Sequence, residues 1–330
     1  MSHAFTKRNH YNPCFWTALW NEGYFHQYCL DSEQKQSPRD QVVYALNMRS
    51  GKVISTTVEK VHYHKNLGVA EISSESAKRF CARWHPDKYD SMVEYLDAHP
   101  ESVYLDFEDI LTGMESLDHY TSLMRVASLG KLQDNEDQGF IICFLMDHAM
   151  RSYEYMTASI ARIEGFGIDK WEFFWRLKHA WGDKKLLARA AIVLALSEWT
   201  LWRTPCHTFP LCDSPVMINR DSVMATLSPR LLLEINLNVR EPQEPWTIRE
   251  DLPEQKYEEF KQRCIANTFK EIIFNDAQVL QDWLSTEQAV NRIALLRDPE
   301  KTEVSINEAA LHINYGLGGF GRLPDGFEPW

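Results

Sequence analysis

The patterning of this chain predicts an α+β fold, and three observations carry the prediction. Short β-branched runs lie near the start, apolar residues recur at helical spacing through the middle, and prolines alternate with strand-like pieces after Thr204. At 330 residues, 44% hydrophobic and with 11 Trp, 16 Phe and 13 Tyr, the chain carries enough apolar material for a sizeable core.

Residues 41–46 and 52–58 are the β-branched runs, and the Ser50-Gly51 pair between them supplies a hairpin turn. Residues 61–64 are expected beside that hairpin, so residues 1–80 should hold a small antiparallel sheet. Residues 90–203 read as a helical middle, with helices at 91–98, 107–129, 136–163, 171–180 and 184–202. In the third of these, Ile141, Phe144, Leu145, His148, Ser152, Tyr155 and Met156 fall on one stripe, with Asp134 or Asn135 as N-cap. Asp147 and Arg151, four apart, are placed to pair.

Residues 204–285 read as a mixed β/α part, with strands at 216–218 and 231–235 and a loop at 241–245. Pro253 opens an amphipathic helix through Tyr257, Phe260, Cys264 and Phe269. Residues 286–330 read as a C-terminal extension, in which the glycines of 315–321 predict a flexible tail.

A net charge of -12, from 47 acidic against 35 basic residues, opposes sequence-independent binding to nucleic-acid phosphates or anionic membranes. The basic clusters, Lys7 with Arg8 and Lys184 with Lys185 and Arg189, read as solvated charge. Seven scattered cysteines, several inside apolar runs, suit a reducing compartment, so a cytoplasmic location is expected. Residues 1–5 show no signal-peptide pattern, and the longest apolar run, 186–202, is interrupted by Arg189 and Glu198, so no membrane span is expected.

The chemistry-bearing positions are few. Lys7-Arg8-Asn9-His10-Tyr11-Asn12-Pro13 meets the aromatic run Phe15 to Trp20, so three proton-donating or accepting side chains stand against an apolar wall beside a proline. His10 could serve as general acid or base or as a metal ligand, or cap a loop. His62 and His64 project from one strand face without a third ligand, which reads as an exposed edge pair. Cys206, His207, Cys212 and Asp213 lack zinc-knuckle spacing, so no metal site is assigned. Asp213, followed by Ser214-Pro215, either accepts backbone N–H groups in a turn or points into a pocket. His148 reads as a core histidine, and Glu115 as a candidate partner for Arg151. The familiar nucleophile, zinc and phosphate-loop signatures are absent from the sequence.

Taken in order, His10-Tyr11-Asn12-Pro13, the hairpin with Ser50-Gly51-Lys52 at its turn, Glu115, Arg151, Cys212-Asp213-Ser214-Pro215-Val216 and Leu227-Ser228-Pro229-Arg230-Leu231 resemble a bacterial family. It is the one catalogued as domain of unknown function 4238, with its His-Tyr-x-Pro block, Ser-Asp-x-Pro-Val turn and Leu-Ser-Pro-Arg strand. The resemblance runs from about residue 8 to about residue 285 and implies one domain over 1–285. Cys212 stands where the family usually has Ser, and residues 171–202 read as an elaboration of this chain. The resemblance implies motif positions, His10, Tyr11, Pro13, Glu115, Arg151, Asp213, Pro215 and Arg230, rather than a reaction.

Two function classes follow as expectations. The first is an intracellular hydrolase acting on a phosphodiester or other anionic substrate. His10 is its general acid or base, Asp213 and Glu115 hold a water or a divalent ion, and Tyr11, Asn12, Arg151 and Arg230 bind substrate. It requires these groups to converge on a solvent-reachable hollow. The second is a non-catalytic module binding a protein or small ligand, within a defence or toxin system for example, in which the same residues staple turns and helices. The sequence names neither a cofactor nor a partner.

Overall fold

Buried Val43, Ala45 and Leu46 among more exposed Val42, Tyr44 and Asn47, then Gly51 at a φ of +66°, give a hairpin at the predicted place. Its strands are β1 (Val42–Asn47) and β2 (Lys52–Thr57), running in register from Val42 opposite Thr57 to Asn47 opposite Lys52. The computed structural model describes residues 8–10, 12–30, 36–65, 69–84, 86–98, 103–106, 118–165, 191–240, 242 and 244–319.

The chain divides into two compact units: 1–9, 64–115 and 160–182 form the smaller, and 10–63, 116–159 and 183–330 the larger. In the smaller, strands Val69–Ile72 and Val103–Asp106 pair antiparallel and are separated in sequence by helices Ser74–Trp84 and Tyr89–Ala98. The strand at Val103–Asp106 falls between the helices expected at 91–98 and 107–129, inside the stretch read as the helical middle. Its four residues are too few for a helical period to show.

The larger unit holds two sheets. Its remaining strands are β3 (Ser197–Arg203), β4 (Leu211–Cys212), β5 (Val216–Ile218), β6 (Ser222–Ser228), β7 (Leu231–Arg240), β8 (Trp246–Arg249) and β9 (Glu271–Phe274). One sheet is antiparallel in the order β2-β1-β9-β4, and the other runs β8-β3-β7-β6-β5 with β8 parallel to β3. An α+β fold is therefore present. The expected N-terminal sheet is not self-contained, because β1 takes its second neighbour from β9, more than 200 residues away, and not from 61–64. Val43, Ala45 and Leu46 need an apolar partner, and Ile272 and Ile273 provide one.

Asp134 caps α1 (Asn135–Arg151), its side chain accepting from the Asp137 N–H. The predicted single helix 136–163 is two, α1 and α2 (Tyr153–Gly165), divided at Ser152, whose ψ is 149°. The Ser152 hydroxyl donates to Ala149 O and accepts from Tyr155 N–H, closing one helix and starting the next. The predicted helix 184–202 gives way to β3, where Ser197, Trp199 and Leu201 are buried alternately with half-exposed Glu198 and Thr200. Period-two burial of Ser197, Trp199 and Leu201 against the neighbouring strands overrides helix propensity there.

Pro253 stands just ahead of α3 (Glu254–Asn267), whose Phe260 packs against Phe209 and Trp283. α4 (Ala277–Leu284), α5 (Glu287–Leu296) and α6 (Pro299–Gly319) complete the chain. The expected flexible tail at 315–321 reaches into this last helix, with 320 and 321 outside the described residues. Residues 315–319 belong to α6, and Ala289, Ile293, Leu296 and Ile306 are buried with the core. If that packing holds the unit together, Ile293→Ala should cost about 2–5 kcal/mol in urea unfolding. A detachable extension would show almost none of that loss.

Candidate functional site

Trp16 and Trp20 lie on a short helical run, and their indole N–H groups donate to Leu227 O at 2.9 Å and Phe209 O at 2.8 Å. Both rings are fully buried. This anchors the polar block just before them, and His10 and Asn12 are drawn inside at 6% and 1% exposure.

Two groups of side chains meet at that block. In the first, Arg151 donates through Nη2 to His10 O at 3.1 Å and through Nη1 to Tyr120 Oη at 2.8 Å, with Asp147 Oδ2 at 3.4 Å. The Tyr120 hydroxyl spends its one proton on Asp147, at 2.5 Å, so His148 Nε2, 3.1 Å from that oxygen, acts as a donor. The expected pairing of Asp147 with Arg151 and the core position of His148 are thus found.

In the second group, Asn12 Nδ2 donates to Cys212 O at 3.2 Å and to His62 Nδ1 at 2.9 Å. His62 is fully buried, which corrects the exposed edge pair expected of it; the side chain of His64 lies outside the described residues. With Nδ1 accepting, His62 is neutral and its Nε2 proton points to Glu271 O, 3.4 Å away. Burial pushes its pKa down to about 3, in keeping with that tautomer. Its backbone, at a φ of +51°, sends the N–H to Glu271 Oε2 at 3.0 Å.

Asp213 follows β4, opposite the start of β9, and is fully buried. Its carboxylate oxygens lie 3.2 and 3.3 Å from the Phe269 N–H, so it serves the backbone across 56 residues rather than a local turn. Glu154 accepts from the Ser214 hydroxyl. Burial raises the pKa of Asp213, and the neighbouring Glu154 raises it further; burial, opposed by the Ser214 hydrogen bond and the Arg292 charge, leaves Glu154 at about 7. Burial also raises Glu271, against the pull of Lys270. Arg292 lies over the Phe269 ring at 4.4 Å, and its charge acts on Asp213 and Glu154.

The predicted site is therefore brought together only in part. His10, Asn12, Arg151 and Asp213 belong to one buried network, not an open hollow. The His10 ring is engaged by Glu59 O at 3.1 Å, and Arg151 takes the His10 carbonyl rather than its imidazole. Arg230 stands apart, over the Phe25 ring. Tyr11 and Glu115 lie outside the described residues. Sequence reasoning missed Tyr120, Glu154 and Glu271. Glu154 had a signal, three residues after Arg151 beside the Ser152 cap, and Glu271 opens the apolar run Ile272-Ile273-Phe274.

Among the described residues no three His, Cys, Asp or Glu side chains are grouped to hold a metal ion, and no helix is long and apolar enough to cross a membrane. The class defined so far is an α+β protein with a closed polar interior. Comparison of the chain with protein-family models, curated proteins and solved structures finds no match.

The network has a definite pH signature. Glu154 holds its proton more tightly folded than unfolded, so its contribution is full below about pH 4.5 and is lost as pH rises to about 7. His62 acts in the opposite sense, its contribution being lost as pH falls from about 6.5 to about 3. Glu154→Gln should therefore remove about 3 kcal/mol of stability loss between pH 4.5 and 7, seen as urea midpoints that fall less steeply than in the wild type. Parallel pH profiles would contradict this protonation of Glu154.

Proposed function

We propose that the chain is a non-catalytic binding module whose buried polar network is scaffold rather than reaction centre. One observation carries this reading. The His10 ring, Asn12, Arg151 and Asp213 are nearly or wholly buried, and each is engaged with main-chain groups of distant segments. A side chain held this way fixes the path of the chain and has little freedom to meet a substrate. Hydrolysis of an anionic substrate is the second reading, supported by the raised carboxyl pKa values of Glu154 and Asp213 beside one another. None of the seven cysteines is joined in a disulfide, which supports a reducing, cytoplasmic setting. The ordered short motifs support membership of the bacterial His-Tyr-x-Pro family.

Thermal and urea unfolding separate the two readings when combined with a phosphatase and nuclease panel. Arg151→Met leaves the buried Asp147 carboxylate without its cation and removes the guanidinium donor from the His10 carbonyl, and should cost about 3–5 kcal/mol. Asp213→Asn should also lower the melting temperature, and the wild type should turn over none of the panel. Turnover abolished by Asp213→Asn at an unchanged melting temperature would reverse the assignment in favour of the hydrolase.

A further inference from the structure

An open hollow of about 560 Å³ lies in the larger unit, away from the buried network, lined among others by Phe25, Ala127, Leu129, Pro205, Arg203 and Arg230. That volume suits a small molecule. Arg230 sits in the turn between β6 and β7, which fixes its backbone: its N–H donates to Ser228 Oγ at 3.2 Å and its carbonyl accepts from Thr204 N–H at 3.0 Å. The guanidinium lies over the Phe25 ring, 5.0 Å from its centroid, where cation–π attraction orients it. The carboxylate among the residues lining the hollow, Glu250, pairs with Arg203 and not, among the described residues, with Arg230, whose buried Nε has no hydrogen-bond partner.

The histidine on the edge of the same ring does not compete for that role. His207 lies 5.2 Å from the Phe25 centroid, and burial and the charge of Arg230 push its pKa down to about 4, so it is neutral at pH 7. The second arginine of the hollow, Arg203, is paired with Glu250. Gly130, at a φ of +66°, gives it room: a Cβ there would come within 2.8 Å of Arg203 Cδ. One cation is thus neutralised and held aside, and the other is oriented and unanswered, in a protein whose net charge is -12.

We propose that this hollow binds a small organic anion, with a carboxylate or phosphate head on the fork of Arg230 and an apolar body against Phe25, Ala127 and Leu129. A planar guanidinium matches two oxygens of either head group, whereas a solvated surface cation would need no aromatic platform or concave wall. The inference rests on the binding-module reading and supplies its ligand class.

Titration calorimetry of the full chain at low ionic strength, with benzoate, phenyl phosphate and inorganic phosphate as probes, tests it. One of the two aromatic anions should bind saturably at one site and more tightly than inorganic phosphate; the tighter of the two identifies the head group. Arg230→Gln should weaken that binding at least tenfold with an unchanged unliganded melting temperature. Ser128 lies on the helix Asp118–Leu129 and lines the hollow, so Ser128→Trp, which fills the hollow without replacing Arg230, should abolish it. No saturable binding of either aromatic anion, or retained affinity in a folded Arg230→Gln or Ser128→Trp, overturns the proposal. Such a failure leaves the scaffold reading standing, whereas turnover lost in Asp213→Asn at an unchanged melting temperature would remove that reading and leave anion binding measurable.

Discussion

The carbonyl of His10 is buried, and a buried carbonyl without a donor costs on the order of 1–3 kcal/mol. Arg151 supplies the donor, and much else depends on that bond. It allows residues 10–12 to enter the interior, which places Asn12 against Cys212 O and His62, and Trp16 and Trp20 against the carbonyls of Leu227 and Phe209. One short segment is thereby fastened to strands β4 and β6, which belong to different sheets. The fastenings are polar and directional, so they select one register of the segment where apolar contact alone would accept several.

The acids of the interior obey the same accounting. Asp213, Glu154 and Glu271 are all buried, and the nearby cations, Arg292 and Lys270, have their own pKa values lowered by burial. Three ionised carboxylates in that setting would repel one another without solvent to screen them. Proton retention by the Asp213 and Glu154 carboxyls, both raised by burial, relieves the repulsion, because a neutral carboxyl sits beside its neighbour at no Coulomb cost. Asp213 can then serve the Phe269 N–H at the entrance to β9. The acids are better understood as backbone partners with tuned charge than as a reservoir of free charge.

Local chemistry made some of this legible in the sequence. The Ser50-Gly51 turn, the Asp134 cap and the four-residue step from Asp147 to Arg151 need only near neighbours, and each is found as expected. Long-range chemistry was not legible. Nothing in residues 42–47 announces β9 as their partner, and the helical stripe through Ser152 gave no warning that its hydroxyl divides the helix. Ser197–Arg203 misled because the apolar residues before it also fit a helical repeat; only the burial of alternate positions in the sheet decides the matter. The candidate site was half legible: the residue types were noticed, but whether they face solvent or the backbone is decided by tertiary contact alone.

Arg151 and Arg230 show why that distinction governs function. Sequence reasoning gave them the same task, holding an anion, and both lie in motifs of the same resemblance. Arg151 is committed to Tyr120 Oη, Asp147 and the His10 carbonyl and is only 2% exposed, so an incoming anion would have to displace bonds that the fold requires. Arg230 is held through its backbone and its face on Phe25, which orients the fork without spending its edge donors on a carboxylate. A cation pre-oriented in this way loses less conformational freedom on binding than a solvated one, and its free donors gain more. The proposed site thus places anion recognition at one concave point of a chain whose formal net charge is -12.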